Sequence, residues 1–546
     1  MPDADQWSWE LPKDAESSGR SSQPAGHHDQ PDPDHPRPRR AAHAAEGDDF
    51  SRTVLLTIAG AAVPGLGLIA ARRRVIGWTV LGLFFALFIA VGIWAAVDTQ
   101  AVLAAAVNPR LLRGVAIGLI VLALIWVAVV VISHLSVARG PMRRSHRIIA
   151  AALVGVLSFA VAAPAAVAAR YSADQASLVT TVFHDSKDSN SATRPSSAPT
   201  SRAQQKNPWA DTPRVNILLL GGDAGADRTG TRTDTVMVAS IDTKTGDTTL
   251  ISLPRNTARM PFPDDSPLHK YYPNGFTDGN GDNAEFFLNA MYDNVPQTVP
   301  KDILGKTDNL GADALKISVG DALGLKIDYY VLINLDGFRQ LIDALGGITV
   351  NINTYVAIGG NTDLHIPPKT WLEPGPHQHL NGAKALWFAR GRYGADDFQR
   401  MDRQRCVVDA IINQANPATV LTRYEAIAQA GKEIVKTDIP QEALPAFVNL
   451  SMRVKSGNVR SLVFKHGVNG FSSPDPNFDL MRDQVKQALG ETKKPPKKKP
   501  SKPTDSASSS EASSDSSSSA TPQSESAKDA CAWNPEMAAA AQKPAG

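Results

Sequence analysis

Cysteine is nearly missing from this chain: its 546 residues hold two, Cys406 and Cys531. Two thiols make neither a disulfide framework nor a cysteine-based metal site. Cys406 falls in a helical pattern and reads as a packed thiol, while Cys531 lies in a low-complexity tail; a bridge between them is the lesser alternative. Net charge is nearly missing too, +2 with 20% charged residues, so no global basic excess points to nucleic acid. The first fifty residues lack aliphatic runs and are polar, rich in Pro, His and Asp. Such a segment cannot bury enough surface to offset chain entropy, and residues 1–52 are expected to be disordered and cytoplasmic. An ordinary cleavable signal peptide is not expected, because its apolar core would begin much earlier.

What is there, from residue 53 to 169, is mostly apolar. Val75–Val97, Gly114–Ala138 and Ile148–Ala169 each have about the 20 residues that cross a bilayer. Thr53–Ala71 is shorter and interrupted at Val63-Pro64-Gly65, and is expected to be a re-entrant or interfacial helix. Three crossings keep Arg72-Arg73-Arg74 and Arg139, Arg143, Arg144 and Arg147 inside and put everything after Ala169 outside. Four crossings would reverse both. A fully spanning first segment with an external N-terminus is the alternative.

Residues 170–213, rich in Ser, Thr, Ala and Asp, read as a linker. Residues 214–490 alternate between strand and helix patterns. Strands are expected at Val215–Leu220, Tyr329–Asn334, Ile348–Ile352, Leu386–Arg392 and Arg460–Phe464, with a hairpin joining Thr235–Asp242 to Asp247–Leu253. Helices are expected at Ala312–Leu323, Leu335–Ala344 and Gln399–Gln414. The fold class is α/β, a layered α-β-α domain with a central mixed sheet. Residues 260–310 are long, polar and rich in Gly, Asn and Asp, and read as an insertion or lid. Residues 491–546 turn Lys/Pro- and then Ser-rich and are expected to be a disordered tail.

The chemistry gathers in Arg390–Gln404, where Arg390, Arg392, Arg400 and Arg403 surround Asp396 and Asp397. On a strand, Arg390 and Arg392 would share one face, and on a helix Asp397, Arg400 and Gln404 would share another. Arginine grips phosphate oxygens because its planar fork donates two parallel hydrogen bonds and keeps its charge. A salt-bridged surface helix is the bland reading. A second stretch, Asn216–Asp223, runs from an apolar strand into Gly221-Gly222 and returns through Arg232-Thr233-Asp234. It lacks the Lys-Ser/Thr ending of a Walker loop. Asp223 and Asp234 could converge to hold Mg²⁺, which shares its shell with water and substrate phosphate, or each could serve as a turn or helix cap. Arg255, directly after a strand and Pro254, stands at a strand terminus.

Together these stretches resemble the LytR-CpsA-Psr family. The resemblance rests on Asn216–Asp223, Arg232-Thr-Asp234-Thr, Ser252-Leu-Pro-Arg255-Asn-Thr, Asp328–Phe338, Leu341–Val350, His379–Leu386, Arg390-x-Arg392 and Asp397-Phe-Gln-Arg400-x-x-x-Gln404. It implies a membrane-anchored enzyme that moves a glycopolymer from a polyprenyl-pyrophosphate carrier to a peptidoglycan hydroxyl. By position, Asp223 and Asp234 would serve a divalent metal, Mg²⁺ or Mn²⁺. Arg232, Arg255, Arg390, Arg392 and Arg400 would hold the pyrophosphate, with Asp397 and Gln404 around the same head group. Lys270 is the nearest candidate for the family's lysine after the Pro-Arg motif. The chain departs in having Gly222 where the family often has Ser, and Asn256 where an acidic residue is usual.

Overall fold

A computed structural model describes residues 39–138, 143–196, 209–223, 230–360, 365–414, 435–490, 525–526 and 531–543. The expectations for residues 1–38, and for most of the tail from 491 onward, lie outside these. Within the described N-terminus, residues 39–52 are not disordered: they open the helix Arg39–Ala62. The chain breaks at Val63-Pro64-Gly65, with Gly65 at φ 102°, and resumes as Leu66–Ala70. The apolar part of the first helix, Phe50–Ala62, is shorter than a bilayer requires. Arg74–Val97, Pro109–Val137 and Arg144–Val182 are long and apolar enough to cross a membrane.

The last of these corrects the linker expectation. Its 39 residues run past the apolar stretch into polar sequence, and Val179 packs into the core of the following domain. Residues 183–196 then dock on that domain. The carboxylate of Asp313, 1% exposed, accepts hydrogen bonds from Ser191 Oγ (2.8 Å), Ala192 N (2.9 Å), Thr193 Oγ1 (2.5 Å) and Thr307 Oγ1 (2.5 Å). Ser191 Oγ also reaches Asp438, which receives the buried Lys316 ammonium at 2.6 Å. A polar composition hid this, because the segment is held by hydrogen bonds to buried charges and not by apolar burial.

In Arg214–Gly222 (β1), Leu218 and Leu220 enter one core while Val215 and Ile217 face another. A strand covered on both faces reads as a continuous apolar run. The other strands are Thr233–Asp242 (β2), Thr248–Leu253 (β3), Tyr329–Asn334 (β4), Ile348–Ile352 (β5), Val356–Ile358 (β6), Thr370–Leu372 (β7), Gly375–Leu380 (β8), Val435–Thr437 (β9), Val459–Val463 (β10) and Glu525–Ser526 (β11). The central sheet has the order β11-β10-β3-β2-β1-β4-β9. It is mixed: β1 runs parallel to β4 and β3 to β10, and the remaining pairs are antiparallel. Helices cover both faces, so the α-β-α expectation holds. The expected β2–β3 hairpin is present, with Asp242 Oδ1 accepting from Lys244 N and Thr245 N. β5 lies outside the central sheet and pairs with β8.

Three expectations are corrected. Leu386–Arg392 is no strand; it lies mostly in the helix Gly382–Arg390, capped by Asn381 Oδ1 accepting from Lys384 N at 2.9 Å. This helix is apolar on two sides, Ala385 and Phe388 against a core and Leu386 and Trp387 toward a cavity, so it mimics a buried strand. Residues 260–310 are no lid: Met260, Phe262, Leu268, Phe276, Leu288 and Met291 are within the main core. Most of the stretch has no long period because it is built of short pieces, the 3-10 turns Pro267–Lys270 and Leu288–Ala290 and the eight-residue helix Met291–Thr298. Finally, Cys406 and Cys531 are joined, fastening the described tail residues 531–543 to the domain. Asn351 and Asn353 side chains add hydrogen bonds to Cys531 O and Ala532 O, both 3.0 Å.

The docked juxtamembrane segment leads to a prediction. A chain begun at residue 209 strips Asp313 of every partner named above except Thr307, and should lose about 3 kcal/mol against one begun at residue 171. Urea unfolding of both checks this, and equal midpoints would contradict the docking.

Candidate functional site

β1 and β4 end side by side, Gly222 opposite Asn334, and β2 begins there, Gly222 opposite Thr233. The helices Leu335–Leu345, Gly382–Arg390 and Asp397–Gln414 lie over this part of the sheet and leave a cavity of about 600 Å³. Its body is apolar, with Leu219, Met237, Val331 and Ile333 from the strands facing Phe338, Leu341, Leu386, Val407 and Ile411 from the helices. Asp223, Asp234, Arg390, Arg392, Asp397, Arg400 and Gln404 also line it. The structure thus brings these seven sequence-selected residues to one cavity.

Their geometry is a chain of alternating charge. Arg400, 2% exposed, donates from Nη2 to Asp397 Oδ2 at 2.9 Å. Asp397 Oδ1 lies 3.7 Å from Arg255 Nε, and Arg255 Nη1 donates to Asp234 Oδ1 at 2.8 Å. Burial alone would raise the Asp234 pKa; Arg255 beside it, with Arg400 and Asn289, outweighs that and holds the carboxyl below its ordinary value. Burial dominates at Arg400 and lowers its pKa despite Asp397. The Nε of Arg400 is buried with no hydrogen-bond partner. An arginine fork keeps its charge at neutral pH, so this is a desolvated cation with an unused donor at a cavity wall.

Arg390 ends its helix with its guanidinium 5.3 Å from the Trp387 ring, and Arg392 follows in an exposed turn. They reach the cavity from a helix end and a turn, not from one strand face. Gly391 O between them and Phe388 O before them both accept from buried Arg403, which ties this helix end to the next helix. Burial pushes the Arg403 pKa down to about 10, with Arg400 adding to the shift. Arg403 does not line the cavity.

Two candidates are not brought in. Arg232 turns its guanidinium to Glu285 and Ala284 O, while its backbone N–H donates to Asp223 Oδ1 at 3.1 Å. Lys270 lies exposed in a 3-10 turn and is not among the cavity-lining residues. One contributor had no sequence signal: Asn289, from the aperiodic 260–310 stretch, donates Nδ2 to Asp234 Oδ1 at 3.4 Å and its backbone N–H to Arg255 O at 3.0 Å. The glycines also differ in role. A Cβ on Gly221 or Gly222 would come within 2.9 Å of Thr235 or Thr231, so their smallness serves the entry of β2 at a register shift.

No group of three His, Cys, Asp or Glu side chains suited to holding a metal alone occurs among the described residues. Asp223, Asp234 and Asp397 do offer hard oxygen donors to one cavity. That set suits a Mg²⁺-like ion bound by one or two carboxylates and completed by water and phosphate oxygens.

Comparison with known proteins adds independent findings. The model of the LytR_cpsA_psr family matches residues 178–493. Biofilm regulatory protein A of Streptococcus mutans is 30% identical over 260 residues, 46% of this chain and 57% of that protein. The polyisoprenyl-teichoic acid–peptidoglycan teichoic acid transferase TagU of Halalkalibacterium halodurans is 30% identical over 231 residues, 42% and 62% of the two chains. Both matches span less than two thirds of the relative. The crystal structure of B. subtilis TagV aligns over 51% of this chain and 98% of its own, at 24% identity and a TM-score of 0.35.

The two buried arginines should separate stability from site chemistry. Arg400→Met should cost less than about 1 kcal/mol, since it removes a buried cation with an unpartnered Nε while Asp397, 27% exposed, keeps Arg255 and water. Arg403→Met should cost about 2 kcal/mol, since two carbonyls lose their charged donor. Thermal unfolding of both variants reads the contrast.

Proposed function

Because this chain belongs to the LytR_cpsA_psr family, whose model covers residues 178–493, we propose that it transfers a glycopolymer from a polyprenyl-pyrophosphate carrier to a peptidoglycan hydroxyl. The observation that carries the reading is one cavity joining an apolar body to a set of arginines and carboxylates. Such a cavity complements an amphiphile with a diphosphate head and a hydrocarbon tail. The TagU relative is named for the corresponding transfer of teichoic acid.

In the proposed reaction, Arg390, Arg392 and Arg400 bind the diphosphate, and Arg400 offers it the donor that lacks a partner. Arg255 holds Asp234 and Asp397 in place between them. A Mg²⁺ or Mn²⁺ ion on Asp223 and Asp234 would supply further neutralisation of phosphate charge. The acceptor hydroxyl oxygen attacks the sugar-linked phosphorus, and the bridging P–O bond breaks. Polyprenyl phosphate departs with the electron pair, and its new charge faces the fixed guanidiniums. Asp397 is the proposed acceptor of the hydroxyl proton. Asp234, held below its ordinary range by Arg255, is better suited to remaining an anion. Arg232 contributes through its backbone N–H to Asp223.

The same reading places the domain outside the cytoplasmic membrane as part of a multi-pass protein. The Cys406–Cys531 bridge supports an oxidising compartment, and arginines flanking the apolar helices support three crossings. The membrane then keeps the site beside its lipid donor.

The full chain, reconstituted with polyprenyl-pyrophosphate-linked polymer and peptidoglycan, should form a phosphodiester to the wall. Arg390→Ala and Arg392→Ala should each lower the rate by about a hundredfold, as expected for loss of one charged transition-state contact. Release of free polymer alone would mean hydrolysis, no reaction at all would point to a non-enzymatic role, and rates unchanged by either substitution would take these arginines out of the reaction.

A further inference from the structure

Tyr393 lines the cavity one residue after Arg392. From it an aromatic row leads outward. The Trp371 ring on β7 stands 6.2 Å from Tyr393 at 75°, and Tyr355 stands 6.3 Å from Trp371 at 87°. All three are half-buried, and Trp371 and Tyr355 lie beyond the residues that line the cavity. The chain leaving β6 hugs this row: a Cβ on Gly360, at φ 81°, would meet Tyr393 Cδ2 at 3.1 Å and Pro368 N at 3.0 Å. β6 and β7 pair antiparallel, with Ala357 opposite Trp371, so the row is fixed against this hairpin and not loose on the surface.

We propose that Trp371 and Tyr393, buttressed by Tyr355, form a saccharide subsite next to the diphosphate position. The inference rests on the reading just given. A diphosphate at Arg390, Arg392 and Arg400 carries the lipid on one side and the first sugar on the other. The apolar body takes the lipid, and a cavity of about 600 Å³ leaves no room for a polymer beside it. The sugar leaves past Arg392 and so meets Tyr393 first. Aromatic rings receive the C–H face of a pyranose ring while its hydroxyls stay in water, which suits half-buried Trp and Tyr. Two saccharides could use such a platform, the proximal sugars of the donor or the acceptor glycan, and the test separates them.

The experiment uses the full chain in detergent micelles and two probes, polyprenyl pyrophosphate and the same lipid carrying a disaccharide. Trp371→Leu should weaken disaccharide-lipid binding about tenfold, the worth of one stacking contact, and leave the bare lipid within about twofold. Trp371→Tyr, which keeps a ring, should bind both probes nearly as the natural protein does and guards against a folding defect. Should donor binding be untouched while the KM for a soluble peptidoglycan acceptor rises, the saccharide subsite stands and belongs to the acceptor. Equal losses for both lipids, or no loss for either lipid or acceptor, would overturn the subsite. A natural protein that binds neither lipid would overturn the diphosphate reading itself.

Discussion

A positive charge buried where water barely reaches sets the terms for this site. Arg400 is 2% exposed, and moving a guanidinium out of water is costly unless it finds charge and hydrogen bonds in return. It finds part of both in Asp397, 2.9 Å away, and its Nε stays without a partner. Asp397 is shared with Arg255, Arg255 with Asp234, and Asp234 with Asn289. Each link fixes the next, so four separate stretches of chain are held in one electrostatic row. In the proposed reaction an arriving diphosphate would meet cations already in position, which would limit the reorganisation needed when charge moves.

The row is useful only on a rigid frame, and the frame continues into a helix long and apolar enough to cross a membrane. The helix Arg144–Val182 passes from apolar sequence into the domain core without a break. Residues 186–194 then lock onto Asp313, Asp438 and Glu442. At the other end, the Cys406–Cys531 bridge fastens a tail segment to the helix that carries Arg400 and Gln404. The site helix is thus held from behind while its front face lines the cavity. The placement of that cavity relative to the apolar helix follows from a continuous helix and a buried hydrogen-bond cluster.

Much of this was legible in the sequence, and the limits have physical causes. Helices were expected at Ala312–Leu323 and Leu335–Ala344, and the observed Leu310–Leu323 and Leu335–Leu345, capped by Asn309 and Asn334 and ended at Gly324 and Gly346, match these limits closely. Arginine density identified the 390–404 stretch, and spacing correctly put Arg400 and Gln404 on one helix side. Three features escaped, and a fourth, the tail bridge, was only the lesser alternative. The Gly382–Arg390 helix is apolar toward both a core and a cavity, which erases the polar face that marks a helix. The 260–310 stretch builds core from short 3-10 turns and one eight-residue helix, too short for a clear period, and with it came Asn289. The juxtamembrane clasp and the tail bridge depend on partners more than a hundred residues away, which no local pattern encodes.

The most direct measurement is an experimental structure of the full chain with polyprenyl pyrophosphate and Mg²⁺ bound. The account predicts the diphosphate within hydrogen-bond distance of Arg390, Arg392 and Arg400, with the isoprenoid chain between the sheet and the helices beside Leu219, Phe338 and Ile411. A diphosphate bound elsewhere, or a lipid that leaves the apolar body empty, would contradict it.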